Sequence, residues 1–411
     1  MATPPLADSP LAEVRAHSRL TILLLAMAQG LGMTGQSIIG TTTILVGTSL
    51  AWSPKLGTLP LALSFVATML GTMPAALLMR AIGRRAGFMI GTVIAMVGAA
   101  LCTWAIFEAD FIMLCVGMFI IGIFAAFMQQ YRFAAVEAAE DSFKPKAVSY
   151  VLAGGVVAGL IGPQLATSAA GMFEPILFAG SYLVMIALHL AAFFTLMFIK
   201  VPRLTAAERK SGGRPLSQII RQPMFIVAAV GAAFGFGIMN LVMVSTPLAI
   251  TAHDHALPVV GWVISAHIVA MFAPSFITGA LIKKFGVLQV MAAGVALYAV
   301  CIAVNLSGTN VANFFGGLIA LGLGWNFLFV GGTTLLTETY HPTERAKTQG
   351  FNDFLIFGTV ATTALSSAIL YDIFGWLSLN LAVIIPTALI GLALAWGIAL
   401  KRRAARMAPA E

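Results

Sequence analysis

The chain has 411 residues, 60% hydrophobic and 9% charged, with a mean hydropathy of +0.97. A soluble domain carries roughly 25% charged residues, so this composition requires lipid around it and excludes an ordinary water-soluble enzyme or binding module. The net charge of +8 does not point to nucleic acid, because the bases are spread over many short loops instead of one patch.

A transmembrane helix needs about 20 mostly apolar residues. In chain order such stretches fall at 20–44, 57–79, 87–107, 111–136, 147–170, 175–199, 223–250, 257–281, 287–306, 311–338, 347–370 and 376–400. Arg15 and Arg19 ahead of Ala26-Met27-Ala28 have the look of a cleavable leader. The apolar run continues through Leu31, Met33, Ile38 and Ile39, so the first span is expected to be retained. All but two of the 23 lysines and arginines lie in the tails or in every second gap between spans. Lys55 stands in a gap of the other set, and Arg132 lies inside a span. The positive-inside bias then places both termini and the basic loops in the cytoplasm of a multi-pass inner-membrane protein. Cys102, Cys115 and Cys301 all fall in apolar segments and give neither a disulfide framework nor a metal spacing.

The longest gap, 201–222, is polar and contains Ser211-Gly212-Gly213-Arg214-Pro215, a linker composition. It separates an N-terminal bundle (20–200) from a C-terminal bundle (223–400), with tails at 1–19 and 401–411. The halves repeat: Ala76-x6-Gly83 matches Gly279-x6-Gly286 at an offset of 203 residues, and Glu137, Lys144 and Lys146 match Glu338, Arg345 and Lys347 at 201. Gln36 falls opposite Asn240 at 204. The expected fold is an all-α membrane protein of twelve helices in two pseudo-symmetric six-helix bundles, the plan of a secondary transporter.

At this point the chain resembles the major facilitator superfamily over nearly its whole length. Ala76-Leu77-Leu78-Met79-Arg80-Ala81-Ile82-Gly83-Arg84-Arg85 resembles that family's Gly-x-x-x-Asp-Arg-x-Gly-Arg-Arg signature, with Arg80 where an acid is usual. The second-half copy, Gly279 to Gly286, again has a base, Lys283, at that place. The family's acid latches an inner gate. The resemblance therefore implies a latch of reversed sign, Arg80 with Glu137 and Lys283 with Glu338, unless these bases only hold topology. Ala158-x3-Gly162-Pro163 partly resembles a signature of proton-coupled exporters, but Ala166 and Thr167 stand where its closing glycines would be. The stretches Gly322–Glu338 and Ala346–Phe354 look like a bacterial branch that proposed riboflavin uptake permeases also resemble.

Of the 15 acids only Asp353 lies deep in a span, roughly 10 Å from its start at ~1.5 Å per residue. A charge at the bilayer centre costs at least about 2.5–3.5 kcal/mol, so Arg132 and Asp353 are expected to face the protein interior or a wet cavity. Two readings of each stay open. Arg132 either snorkels to the interface or, with Gln129, Gln130 and Tyr131 beside it, faces a cavity and binds a planar group. Asp353 is either a structural partner of Arg80 or Arg132, or a proton carrier. The family fold lines its cavity with spans 1, 4, 7 and 10. The resemblance thus implies substrate contacts from Gln29, Gln36, Gln129, Tyr131, Arg132, Asn240, Trp325 and Asn326, with Asn352 beside Asp353, and gate residues Arg80, Glu137, Lys283 and Glu338. Amides in membrane helices also serve simply to join helices.

His267 is a candidate relay or a satisfied core residue. His253-Asp254-His255 falls short of a specific metal site, and no metal or other cofactor is expected. No nucleophile–base arrangement or phosphate loop is visible, so the chain is not expected to be an enzyme. It is expected to move a small organic solute, with protons as coupling ion, as a monomer in the bilayer. An exporter and a non-transporting sensor are the alternatives.

Overall fold

The computed structural model describes residues 10–53, 56–201, 213–255 and 257–407. Lys55, the outermost tail residues and half of the 201–222 linker lie outside the described residues. Backbone in lipid has no water to bond to, so apolar runs of this length must close their hydrogen bonds internally as helices. The helices are α1 (Pro10–Leu50), α2 (Leu59–Ile82), α3 (Arg84–Phe107), α4 (Phe111–Met128), α5 (Tyr131–Ala138), α6 (Lys144–Ser168) and α7 (Ala179–Leu196). After the linker come α8 (Pro223–Ala252), α9 (Leu257–Phe272), α10 (Ser275–Phe285), α11 (Val287–Ser307), α12 (Val311–Thr337), α13 (Arg345–Ala382) and α14 (Ile384–Met407).

Two expected spans are interrupted. The fourth divides into α4 and α5 at Gln129-Gln130, where the backbone tightens and Gln130 N–H donates to Phe127 O at 3.0 Å. The eighth divides into α9 and α10, bent by 40° around Ala273-Pro274. Proline has no N–H and its ring clashes with the preceding turn. Conversely α13 runs past the expected end of the eleventh span to a break at Gly375, φ 70°, from which the twelfth span continues into α14. Among the described residues, ten helices are long and apolar enough to cross a membrane alone, and the bent pair makes an eleventh. The first part of α13 sits where the remaining span was expected. Its hydropathy is lowered by Asn352, Asp353 and a series of hydroxyl side chains, which bond back to carbonyls one turn earlier: Thr359 to Leu355 O at 2.9 Å, Thr362 to Gly358 O at 2.8 Å.

Helices α1–α7 pack chiefly on one another, as do α8–α14. The sequence repeat is also a backbone repeat. Gly83 (φ 92°, ψ 157°) and Gly286 (φ 93°, ψ 152°) each separate two consecutive helices in nearly the same left-handed-side conformation, which favours glycine. Asp141–Phe143 and Pro342–Glu344, 201 residues apart, are both single 3-10 turns.

The bundles meet along two seams, α2 on α13 and α6 on α9 and α10. These crossings are repeat mates. A Cβ on Gly350 would stand 3.2 Å from the Ala76 Cβ, and one on Gly279 would stand 2.8 Å from Ser149 Oγ. Ala76 and Gly279 correspond in the repeat, as do Ser149 and Gly350. Small residues at both crossings let the backbones approach closely. Both crossings lie toward the end of the molecule that carries the basic loops.

Candidate functional site: a central cavity over a buried ion network

Between the bundles lies a cavity of about 180 Å³. Gln29, Met33 and Gln36 of α1 line it, with Ser64, Phe65 and Thr68 of α2, Met128 at the end of α4, and Gln129. The second bundle contributes Phe236, Met271, Phe272, Trp325, Phe329 and Phe357. The Trp325 and Phe329 rings are stacked, 4.8 Å apart at 15°, and Phe236 stands edge-on to both at 5.3 and 5.4 Å. None of the Gln29, Gln36 or Gln129 side chains hydrogen-bonds to a described residue, and the buried Trp325 Nε1 has no partner among them either. The cavity thus presents flat apolar faces on one side and unengaged amides on the other.

Toward the basic end the cavity is closed by charge. Arg132 on α5 donates through Nη2 to Asp353 Oδ1 on α13, with side chains 2% and 0% exposed. Gln130 Nε2 donates to the other carboxylate oxygen at 2.9 Å, and Asn352 Nδ2 lies 3.3 Å from Oδ1. A second layer follows. Arg84, at the start of α3, donates to Glu137 at 2.7 and 3.2 Å, to Gln130 Oε1 at 2.9 Å and to Gln349 Oε1 at 2.5 Å. Arg345 pairs with the same Glu137 at 3.1 Å. The network joins α3 and α5 of one bundle to α13 of the other.

The structure sorts the expected site residues into three groups. Gln29, Gln36, Gln129 and Trp325 line the cavity. Arg132 and Asp353 are paired with each other beneath it, so Arg132 does not snorkel. Asn240, Asn326, Tyr131 and Asn352 lie elsewhere than in the cavity wall. Asn240 donates to Thr363 Oγ1 at 3.1 Å and to Val360 O at 3.4 Å, tying α8 to α13. Asn326 is fully engaged by Met271 O, Ser275 Oγ and Thr278 Oγ1 at 2.6–2.7 Å, fastening α12 to the α9–α10 bend. Tyr131 packs edge-on against Phe88 at 4.6 Å.

The expected latch pairs are also different. Glu137 binds Arg84 and Arg345 instead of Arg80, because the chain turns at Gly83 and brings the first residue of α3 beneath α5. Glu338 pairs with Lys401 at 3.2 Å, while Lys283 is exposed on α10. Arg84, Gln130, Arg345 and Gln349 were not singled out from sequence. The first and third sit among ordinary loop bases, and only the proximity of Gln130 to Arg132 gave a signal. The small residues of α6 are contact surfaces: a Cβ on Gly155 would fall 2.6 Å from the Phe272 ring, and one on Gly154 would fall 2.9 Å from Gly30 N. His267 bonds Leu318 O at 2.8 Å. His253 and His255 bond separate backbone carbonyls, Ala249 O and Thr309 O.

Two bundles related by duplication around a central cavity describe a fold, and the family model for the Major Facilitator Superfamily matches residues 25–255 and 229–411. The chain belongs to the Major Facilitator Superfamily. It is 38% identical over 375 residues to a riboflavin transporter of Brucella anthropi, covering 91% of this chain and 94% of that one. An uncharacterized transporter of the same superfamily from Bacillus subtilis is 30% identical, with 85% and 84% covered. Among solved structures, the Escherichia coli fucose:proton symporter superposes with a TM-score of 0.69 at 18% identity, over 92% of this chain and 98% of that one. A proton:xylose symporter superposes at 0.75 and 12% identity, over 91% and 95%. This facilitator is therefore a multi-pass membrane transporter with the fold expected from its sequence.

Proposed function

We propose that this facilitator takes up a flat, hydrogen-bonding solute of the flavin class by proton-coupled alternating access across a bacterial cytoplasmic membrane, with both termini cytoplasmic. The observation that carries the reading is the cavity wall: three amides without partners among the described residues face a stacked indole–phenyl pair. A heteroaromatic ring offers faces to stack and edges to bond, and such a wall satisfies both. The riboflavin transporter of Brucella anthropi, related over nearly the whole chain, supports the choice of solute.

In this reading Gln29, Gln36, Gln129 and Trp325 touch the solute, and Asp353 takes up the proton that frees Arg132. Glu137, with Arg84 and Arg345, closes the cytoplasmic gate. Arg80, Lys283 and Glu338 stay at the gate's margin as topology-holding charges. Riboflavin uptake into proteoliposomes tests the reading. Accumulation above the external concentration is expected when the outside is acid, and simple equilibration without a gradient. Absence of riboflavin uptake in both conditions sinks the solute. Uptake that never becomes concentrative removes the proton.

A further inference from the structure

The cavity and the Arg132–Asp353 pair are neighbours, yet Arg132 forms no part of the cavity wall. The group between them is Phe329. Its ring lines the cavity, stacks on Trp325, and holds the Arg132 guanidinium carbon 4.3 Å from its centre. The same guanidinium has two nitrogens, Nε and Nη1, that are buried and without a hydrogen-bond partner among the described residues. A buried donor left unmade is costly, so a group able to accept from it gains as soon as it arrives. At about 180 Å³ the cavity is smaller than the roughly 300–1,000 Å³ of ordinary small-molecule sites. A solute of flavin size must displace part of the wall, and Phe329 is the part with Arg132 behind it.

We propose that Phe329 is the door between the cavity and the interbundle ion pair. A flat solute stacks on Trp325 in place of the Phe329 ring. The displaced ring uncovers Arg132, whose spare N–H groups donate to a solute carbonyl, and the contact between Arg132 and Asp353 loosens. Solute arrival thereby reaches the first link of the chain that joins α5 to α13. Phe329 is a positioning residue for this step. The proposal rests on the flavin reading for its ligand but not for the link between Phe329 and the pair.

Hydrogen–deuterium exchange on the purified full chain tests both parts. Without solute, Phe329→Leu should raise exchange across 345–353 about tenfold, the factor that 1.4 kcal/mol represents. Phe329→Tyr, which keeps the ring, should match the parent. Phe314→Leu, which removes a buried ring elsewhere on α12, should leave 345–353 unchanged. Phe329→Met repeats the measurement if the leucine variant does not fold. Unchanged exchange in the Phe329 variants overturns the proposal, and so does an equal rise in Phe314→Leu, which marks general loosening. With riboflavin, the parent should show faster exchange at 345–353, while Phe329→Leu, brought to saturation by its own riboflavin titration, shows no further change. A Phe329→Leu variant that responds to riboflavin as the parent does overturns the door. If the parent binds no riboflavin, the flavin reading fails and the solute-free comparison still decides the link.

Discussion

Arg132 and Asp353 form an ion pair that joins the two bundles with 2% and 0% of their side chains exposed. Removing one partner of a buried pair leaves an uncompensated charge and costs about 3–5 kcal/mol, whereas replacing both with apolar groups is often neutral. Arg132→Met should therefore lower the melting temperature strongly. Arg132→Met combined with Asp353→Leu should recover most of it while abolishing transport. Thermal melting of the purified variants decides this, and a double variant no more stable than the single one shows that the loss lies elsewhere.

Asp353→Asn keeps the shape of the acceptor and removes the proton site. It is expected to retain riboflavin counterflow and to lose accumulation driven by an acid exterior. Loss of both activities makes the residue structural, and retention of both removes it from coupling.

Glu137 is shared by Arg84 and Arg345 across the bundles. Glu137→Gln weakens both contacts and should bias the transporter toward opening at the basic end. A cysteine at position 348, where Thr348 is fully buried, should then react several-fold faster with a polar thiol reagent. The native Cys102, Cys115 and Cys301 are buried and give a low background. Equal labelling rates with and without Glu137→Gln remove this residue from the gate.

Below the gate the linker is pinned. Arg214 donates from its side chain and its backbone N–H to Glu344 at 2.6–2.7 Å, and also reaches Thr339 O at 3.1 Å. The Arg214 hydrogen bonds hold the Glu344 carboxyl well below its usual value, at about 2. A depressed folded value contributes stability above the unfolded value of about 4.3, and that contribution is lost as pH falls toward 2. Glu344→Gln should thus lower the melting temperature by a similar amount at pH 6 and pH 8, with the difference shrinking below about pH 4. A difference that keeps its full size at pH 3 contradicts the assignment.

Trp325 and Asn326 are adjacent in sequence and opposite in role. Trp325→Phe, which keeps a buried ring in place, should weaken riboflavin binding about tenfold, or 1.4 kcal/mol, with little change in melting. Asn326→Leu leaves Ser275 and the Met271 carbonyl without their partner and should lower stability while sparing affinity. Ligand titration and melting, run on both variants, separate the two effects.

The helical spans were legible because charge in lipid is costly enough to leave a trace between them. The same cost exposed Arg132 and Asp353, and their pairing was among the open alternatives. Amides are cheaper to bury, so sequence placed Asn240 and Asn326 at the substrate when they fasten helices instead. The cavity's apolar wall was largely silent, since Phe236 and Phe357 look like any other membrane phenylalanine. Arg84 was hidden for the opposite reason: in a run of bases, nothing local distinguishes the one that turns inward at Gly83. Gln130, at the break in the fourth span, takes its partner Asp353 from the other bundle, which no local pattern contains.

The two seams are repeat mates but differ in what holds them. At the α2–α13 crossing the neighbouring α5 adds ion pairs to α13, through Arg132–Asp353 and Glu137–Arg345. At the α6–α10 crossing, Gly279 lies against Lys146, Pro145 and Ser149 by close fit. Separation on the first side must break buried charge pairs, which salt screens little. On the second side it depends on side-chain volume, and a single added methyl at Gly279 acts as a wedge. Two matching crossings are thus held by different physics, charge on one side and steric fit on the other.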